Sequence, residues 1–102
     1  MEQVKIVNST SELLEISLNG DIDLGNAESF YQTVMQAYAA CKADVTFDCT
    51  ALEFIDSTTL GTFVKIVKEL KKDGKSMRLV GMQTKIKKLF VICALDSIIQ
   101  ID

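Results

Sequence analysis

The sequence predicts a single α/β domain over residues 1–102, with three to four helices packed on a mixed sheet of four to five strands. Three observations support this prediction. The chain has 102 residues, which is enough for one compact domain with one core. Apolar residues make up 48% and charged residues 25%, as is ordinary for a globular protein. Two opening strand patterns are followed by strands and helices in alternation, which is typical of βαβ units.

The first two strands are predicted to form a hairpin. Residues 4–7 are a short strand candidate, and residues 13–18 alternate apolar with polar side chains, the period of a half-buried strand. Between them, residues 8–11 are Asn, Ser and Thr, which bond their own backbone in turns. The Asn-Gly-Asp sequence at 19–21 is predicted to break the second strand.

Two helices are predicted from apolar residues at helical spacing, with a buried parallel strand at 45–49 between them. Asn26 can cap the first helix, residues 26–42, whose apolar face holds Phe30, Val34, Tyr38 and Cys41. Gly74 is placed to end the second helix, residues 57–73. The apolar stripe of this second helix consists of Leu60, Phe63, Val64, Val67 and Leu70.

The last part of the chain continues the alternation. Met77–Val80 is predicted to be a strand, residues 85–92 a third helix, and residues 98–101 a short terminal strand. Phe63 is predicted to be a core residue and not a stacking platform. The crossovers between parallel strands are expected to be right-handed.

Composition excludes several classes of site. The chain has no histidine, so neither a Ser-His-Asp triad nor an imidazole metal site can be built. Three widely spaced cysteines predict neither a disulfide framework nor a zinc site. The longest apolar run, residues 89–95, is far shorter than the ~20 residues that span a bilayer. No secretory signal is visible, so a cytoplasmic protein without metal, cofactor or membrane role is expected.

The net charge of −3 hides an asymmetry. Residues 1–60 hold ten acidic and two basic side chains, which gives −8. Residues 61–102 hold four acidic and nine basic side chains, which gives +5. The lysines of the second half are interpreted as a solvated helix face, and an acidic chain is not expected to bind nucleic acid.

The segment at 54–61 joins a predicted buried strand to the strongest predicted helix. Ser57 is placed to cap this helix, whose N-terminus favours an anion. Asp56 precedes Ser57, and Asp21 and Asp23 leave a neighbouring strand end. A phosphate on Ser57 would make this patch strongly negative and repel a docked partner. From the residues alone, a plain helix cap and a phosphorylation site both stay open.

Three segments resemble the STAS family, and specifically its single-domain anti-sigma factor antagonists. Residues 20–24, Gly-Asp-Ile-Asp-Leu, resemble the family's segment before its first helix. Residues 47–57, which end in Phe-Ile-Asp-Ser, resemble its central and most specific motif. Residues 79–81, 87–92 and 95–96 resemble its closing strand, helix and Leu-Asp. The resemblance covers nearly the whole chain and implies a STAS-like fold.

The resemblance implies a regulatory role and no catalysis. Such proteins bind an anti-sigma factor that is a serine kinase, which then releases its sigma factor. The kinase phosphorylates the antagonist, and a serine phosphatase reverses the modification. By motif match the phosphorylated residue is Ser57, with Thr58 and Thr59 as alternatives. The partner-binding residues implied are Asp21, Asp23, Asp56, Ser57, Thr58, Thr59 and Gly61.

One position departs from the family pattern. The family reads Asp-Ser-x-Gly-x-Gly, whereas this chain keeps Gly61 but has Thr59 at the first glycine. Because glycine permits close approach of a partner backbone, the branched Thr59 is expected to alter kinase choice or weaken phosphorylation.

Two other hypotheses are kept. The chain is a non-enzymatic STAS subunit of a transport or stress-signalling complex, or it is an enzyme that uses Asp48. Asp48 with Asp56 as an acid/base pair, or Asp48 as a phosphoacceptor, would serve the enzyme hypothesis. The interpretation preferred for Asp48 is a residue that caps or solvates a strand end. The sequence leaves the oligomeric state open.

Overall fold

The computed structural model describes residues 1–102 and contains one sheet with the strand order β1-β2-β3-β4-β5. The strands are Val4–Ser9 (β1), Leu13–Ile22 (β2), Asp44–Ile55 (β3), Met77–Val80 (β4) and Gln100–Ile101 (β5). The helices are Ala27–Ala40 (α1), Ser57–Lys72 (α2) and Thr84–Ile92 (α3), followed by a 3-10 turn at Leu95–Ser97. Five strands in a mixed sheet with three helices confirm the predicted fold class.

The sheet combines one antiparallel hairpin with a parallel series. β1 pairs antiparallel with β2, as predicted, and β2 to β5 pair in parallel. β3 lies at the centre, where the sequence predicted a buried parallel strand. The carboxyl ends of β2 and β3 therefore lie together, where ligands and partners of α/β sheets bind, whereas β4 ends beside Asp48 in the middle of β3.

One face of the sheet is buried beneath all three helices. Alternate residues of β2 and β3 are fully buried, and they share one core cluster with the inner faces of α1, α2 and α3. Phe63 of α2 lies at the centre of this cluster, as predicted. Its ring packs edge-to-face on three others, with centroid distances of 5.2, 5.6 and 5.4 Å to Phe30, Phe47 and Phe90.

β2 and β3 are both longer than predicted. β2 passes through the expected break at 19–21 and ends at Ile22, because β3 continues beyond residue 49 and pairs with it. Register shifts between Ser17 and Asn19 and between Gly20 and Asp21 accommodate the polar residues. Gly20 has a φ of +68°, which glycine adopts without steric cost. The predicted break was wrong, since a bulged strand has the same residue types as a turn.

Two local predictions at the ends of elements also need correction. The hairpin turn is shorter than 8–11, because residues 8 and 9 belong to β1 and the Thr10 hydroxyl accepts the N–H of Leu13. On α2 the fully buried stripe contains Ile66, whereas Val64 is only half-buried. Gly74 does end α2: it follows the cap residue with a φ of +71°, and the N–H of Lys75 returns to the carbonyl of Leu70.

Gly81 follows β4 on the way to α3, and its backbone packs closely against Thr50 of β3. Its φ is +72°, and a Cβ there would overlap the Thr50 Oγ1 atom. We expect Gly81→Ala to lower the free energy of unfolding by about 2 kcal/mol, because it adds backbone strain and a clash. Gly61→Ala is the control: its Cβ would enter open space on α2, so stability should rise by about 0.5–1 kcal/mol. Urea unfolding measures both, and a Gly81→Ala chain as stable as wild type would contradict this packing.

Candidate functional site

The predicted site lies where β2 and β3 end together. Asp21 of β2 pairs with Phe54 of β3, and Asp23 and Asp56 directly follow the two strands. α2 begins at the next residue, Ser57. The structure therefore brings together the strand-end aspartates and the serine that the sequence singled out.

Asp56, and not Ser57, caps α2. Asp56 has an extended backbone, and its Oδ1 accepts the N–H of Thr59 at 3.0 Å. Ser57 is instead the first helical residue, and its side chain is exposed. The predicted cap was one residue late, because the carboxylate occupies the extended position that a capping side chain needs. The Ser57 hydroxyl is thereby left free of capping.

The Asp56 carboxylate also joins α2 to the turn that follows β2. Its Oδ2 accepts the N–H of Leu24 at 2.9 Å, across 32 residues of sequence. The N–H of Thr59 above all, and then that of Leu24, hold the pKa of Asp56 below its usual range, although partial burial opposes them. Asp56 is therefore a carboxylate at neutral pH, and it fixes both sides of the site.

Thr59 points into the protein and not toward a partner. It is 0% exposed, and its hydroxyl donates to the Ile22 carbonyl at 2.6 Å and lies 3.0 Å from Asp56 Oδ1. The branched side chain that replaces the family glycine therefore fills space beneath the helix start. Of the three hydroxyls considered as phosphate acceptors, those of Ser57 and Thr58 belong to exposed residues, whereas Thr59 is buried. Gly61 is exposed in the next turn of α2.

Asn26 stands at the N-cap position of α1, and its side chain bonds the turn before that helix. Its Oδ1 accepts the N–H of Asp23 at 2.8 Å, and its Nδ2 donates to the Asp21 carbonyl at 3.0 Å. Asn26 is the N-cap residue of α1, as predicted, and its carbonyl accepts the N–H of Phe30, but its side chain makes no capping hydrogen bond. The turn closes on itself in this way and directs Leu24 outward, with 75% of the residue exposed.

Two apolar residues of this surface were missed from the sequence. Leu24 and Phe54 are 75% and 49% exposed. Asp56 accepts the N–H of Leu24, and Asp21 pairs with Phe54 across the two strands. We call this surface the acidic end, and its members are Asp21, Asp23, Leu24, Glu53, Phe54 and Asp56. The sequence did contain one indication that Leu24 is exposed, because it is the only apolar side chain in the polar turn at 23–26. Exposed apolar residues with a polar rim mark interaction sites.

A groove between α1 and α2 continues the surface beyond Thr58. It has a volume of about 480 Å³, and Leu24, Tyr31, Thr58 and Lys65 are among its lining residues. The Lys65 ammonium lies 4.5 Å from the centroid of the Tyr31 ring. This lysine places one positive charge next to an otherwise acidic surface.

Asp48 lies away from this site. It was expected at a strand end but lies in the middle of β3. Its Oδ1 accepts hydrogen bonds from the hydroxyl and the N–H of Thr50. The Thr50 hydroxyl, followed by the Thr50 N–H, lowers the pKa of Asp48. No group of three His, Cys, Asp or Glu side chains is arranged to hold a metal ion. No helix combines the length and the apolar character needed to cross a membrane.

Comparison with known proteins identifies the family. Anti-sigma-B factor antagonist of Bacillus subtilis is 31% identical over 88 residues, which cover 86% of this chain and 80% of that protein. The solved structure of TM1081 from Thermotoga maritima is 25% identical, has a TM-score of 0.82, and matches 100% of this chain and 80% of that one. The anti-sigma factor antagonist SpoIIAA, solved in unphosphorylated and phosphorylated forms, shares the fold at 19% identity. Its unphosphorylated form has a TM-score of 0.76 over 97% of this chain and 86% of that one. The family model for the STAS domain matches residues 4–102, and the chain belongs to the STAS domain family.

Proposed function

We propose that this chain is an anti-sigma factor antagonist that phosphorylation of Ser57 switches off. In its unmodified form it binds an anti-sigma factor that is a serine kinase, and the kinase then releases its sigma factor. The observation that carries the proposal is the free, exposed Ser57 at the start of α2, directly beside the acidic end. The names of its relatives support the same role.

The acidic end supplies both affinity and sensitivity to phosphate. Leu24 and Phe54 offer apolar anchors, and the surrounding carboxylates favour a partner with a basic rim. A phosphate on Ser57 would add about −1.5 to −2 charges next to Asp56. That charge lies at the α2 N-terminus, which stabilises it, so the helix need not melt. The phosphate would instead lose hydration and need room beside the apolar anchors Leu24 and Phe54, and this cost weakens binding.

The chain is proposed to be a substrate and a binding protein without catalysis of its own. The kinase supplies the phosphoryl group to the Ser57 oxygen, and a serine phosphatase removes it by hydrolysis. Asp48 is held by Thr50 inside β3 and lies away from Ser57, which disfavours the acid/base pair with Asp56.

Phosphorylation with ATP and an anti-sigma serine kinase from the same organism tests the assignment. Peptide mapping is expected to place the phosphate on Ser57, and Ser57→Ala is expected to accept none while retaining affinity for the kinase. Phosphate on Thr58 in the wild-type chain would keep the switch and move the site. No phosphate transfer and no kinase binding would refute the proposal and favour a constitutive STAS subunit of a transport or stress-signalling complex.

A further inference from the structure

The outer face of α3 is an exposed apolar surface with a basic rim. Ile92 is 79% exposed and Val91 is 49% exposed, and Ile92 is the most exposed large hydrophobic residue of the chain. With Lys87 and Lys88 they border a shallow depression of about 330 Å³. We call these four residues the α3 patch. Apolar residues this exposed mark an interaction surface.

Positive charge predominates at the α3 patch, and Asp102, which interacts electrostatically with Lys87, is already paired with Arg78. The residues that line the depression include two lysines and no carboxylate. The three ion pairs of the chain involve Lys42, Lys72 and Arg78, so Lys87 and Lys88 stay unpaired. The patch therefore fits an occupant that presents apolar side chains within an acidic rim.

The acidic end of this same chain has that character. Leu24 and Phe54 provide exposed apolar side chains. Asp23 and Asp56 adjoin Leu24, and Asp21 and Glu53 adjoin Phe54. The charge asymmetry of the whole chain agrees, because residues 1–60 carry −8 and residues 61–102 carry +5. Both halves of a complementary contact are thus present on one molecule.

The two surfaces lie at different ends and cannot meet within one chain. The acidic end is at the carboxyl ends of β2 and β3. α3 starts beyond the carboxyl end of β4 and returns toward the amino end to enter β5, which is parallel to β4. Val91 and Ile92 are in the last turn of α3. They therefore lie toward the amino ends of the parallel strands, away from the acidic end. A contact between the two surfaces must therefore join two copies.

We infer that the α3 patch binds the acidic end of a second copy, in a head-to-tail contact. Such a contact is heterologous and joins copies into rings or open chains, so association grows with concentration and is weakened by salt. Because it covers Leu24 and Phe54, it competes with any other partner of the acidic end. The inference rests on the two surfaces alone and not on the identity of that partner.

Sedimentation velocity across protein concentrations, at low and high salt, tests this contact. The wild-type chain is expected to show a mass that rises with concentration and falls with salt. Ile92→Asp and Lys88→Glu are expected to lower the association constant by at least about tenfold. Lys68→Glu is the matched control, because Lys68 is an exposed lysine of α2 outside both surfaces, and it should associate like wild type.

A mixing experiment distinguishes this contact from general stickiness. Glu53→Lys reverses a charge of the acidic end, and this variant alone should remain monomeric. When it is mixed with Lys88→Glu, association should return, because the two reversed charges attract each other. A wild-type chain that stays monomeric at every concentration and salt would overturn the inference. Binding of monomeric protein to anionic vesicles, lost in Ile92→Asp, would also overturn it by assigning the α3 patch to lipid.

Discussion

Replacement of Thr59 by valine is expected to lower the free energy of unfolding by about 1–3 kcal/mol. Valine keeps the shape of the side chain but removes the hydroxyl that donates to the buried Ile22 carbonyl at 2.6 Å. The hydroxyl also lies 3.0 Å from Asp56 Oδ1, so its loss loosens the carboxylate that holds Leu24. Urea unfolding measures the stability, and hydrogen exchange of the Leu24 amide reports the loosening.

Thr59→Ser is the matched control for this prediction. It retains the hydroxyl and loses only a methyl group, which costs about 1 kcal/mol when buried. We expect the Leu24 amide to stay protected in Thr59→Ser and to exchange faster in Thr59→Val. Equal protection in both variants would show that the Thr59 hydroxyl does not hold the turn at 23–26.

Replacement of Leu24 by aspartate is expected to weaken binding of the anti-sigma factor by at least about tenfold. Leu24 is 75% exposed on a turn held by Asn26 and Asp56, so it presents an apolar anchor next to the residue that precedes Ser57. Its outward side chain adds little to the core, and the fold should survive the change. Calorimetric titration of the anti-sigma factor measures the loss of affinity.

Val7→Asp separates a local effect from the loss of any exposed apolar residue. Val7 is 53% exposed in β1, at the far side of β2 from α2 and outside the acidic end. We expect this variant to bind like wild type. If Val7→Asp and Leu24→Asp weakened binding equally, the acidic end would not be the partner surface.

The sequence was sufficient for the order of elements but not for the ends of β2 and β3. Alternation in β2 and the stripe on α2 are periodic, and burial on one face of the sheet enforces both patterns. The extension of β2 through Gly20 depends on its partner β3, which lies about 30 residues away in sequence. A local pattern therefore cannot distinguish this bulged strand from a turn.

The site was predicted in its residues and not in its hydrogen bonds. The order of strand, aspartate and helix placed Asp23, Asp56 and Ser57 at one edge. Which of Asp56 and Ser57 caps α2 depends on the backbone angles of Asp56, which composition does not determine. Burial of Thr59 and exposure of Leu24 likewise follow from bonds to Ile22 and Asp56 across the fold.

The central claim is that phosphate on Ser57 controls the affinity of the acidic end. The most direct test is calorimetric titration of the anti-sigma factor with the unmodified chain and with the chain phosphorylated on Ser57. The unmodified chain is expected to bind, and the phosphorylated chain to bind at least about tenfold more weakly, because the phosphate must lose hydration and find room within the contact. Equal affinities of the two forms would contradict the account.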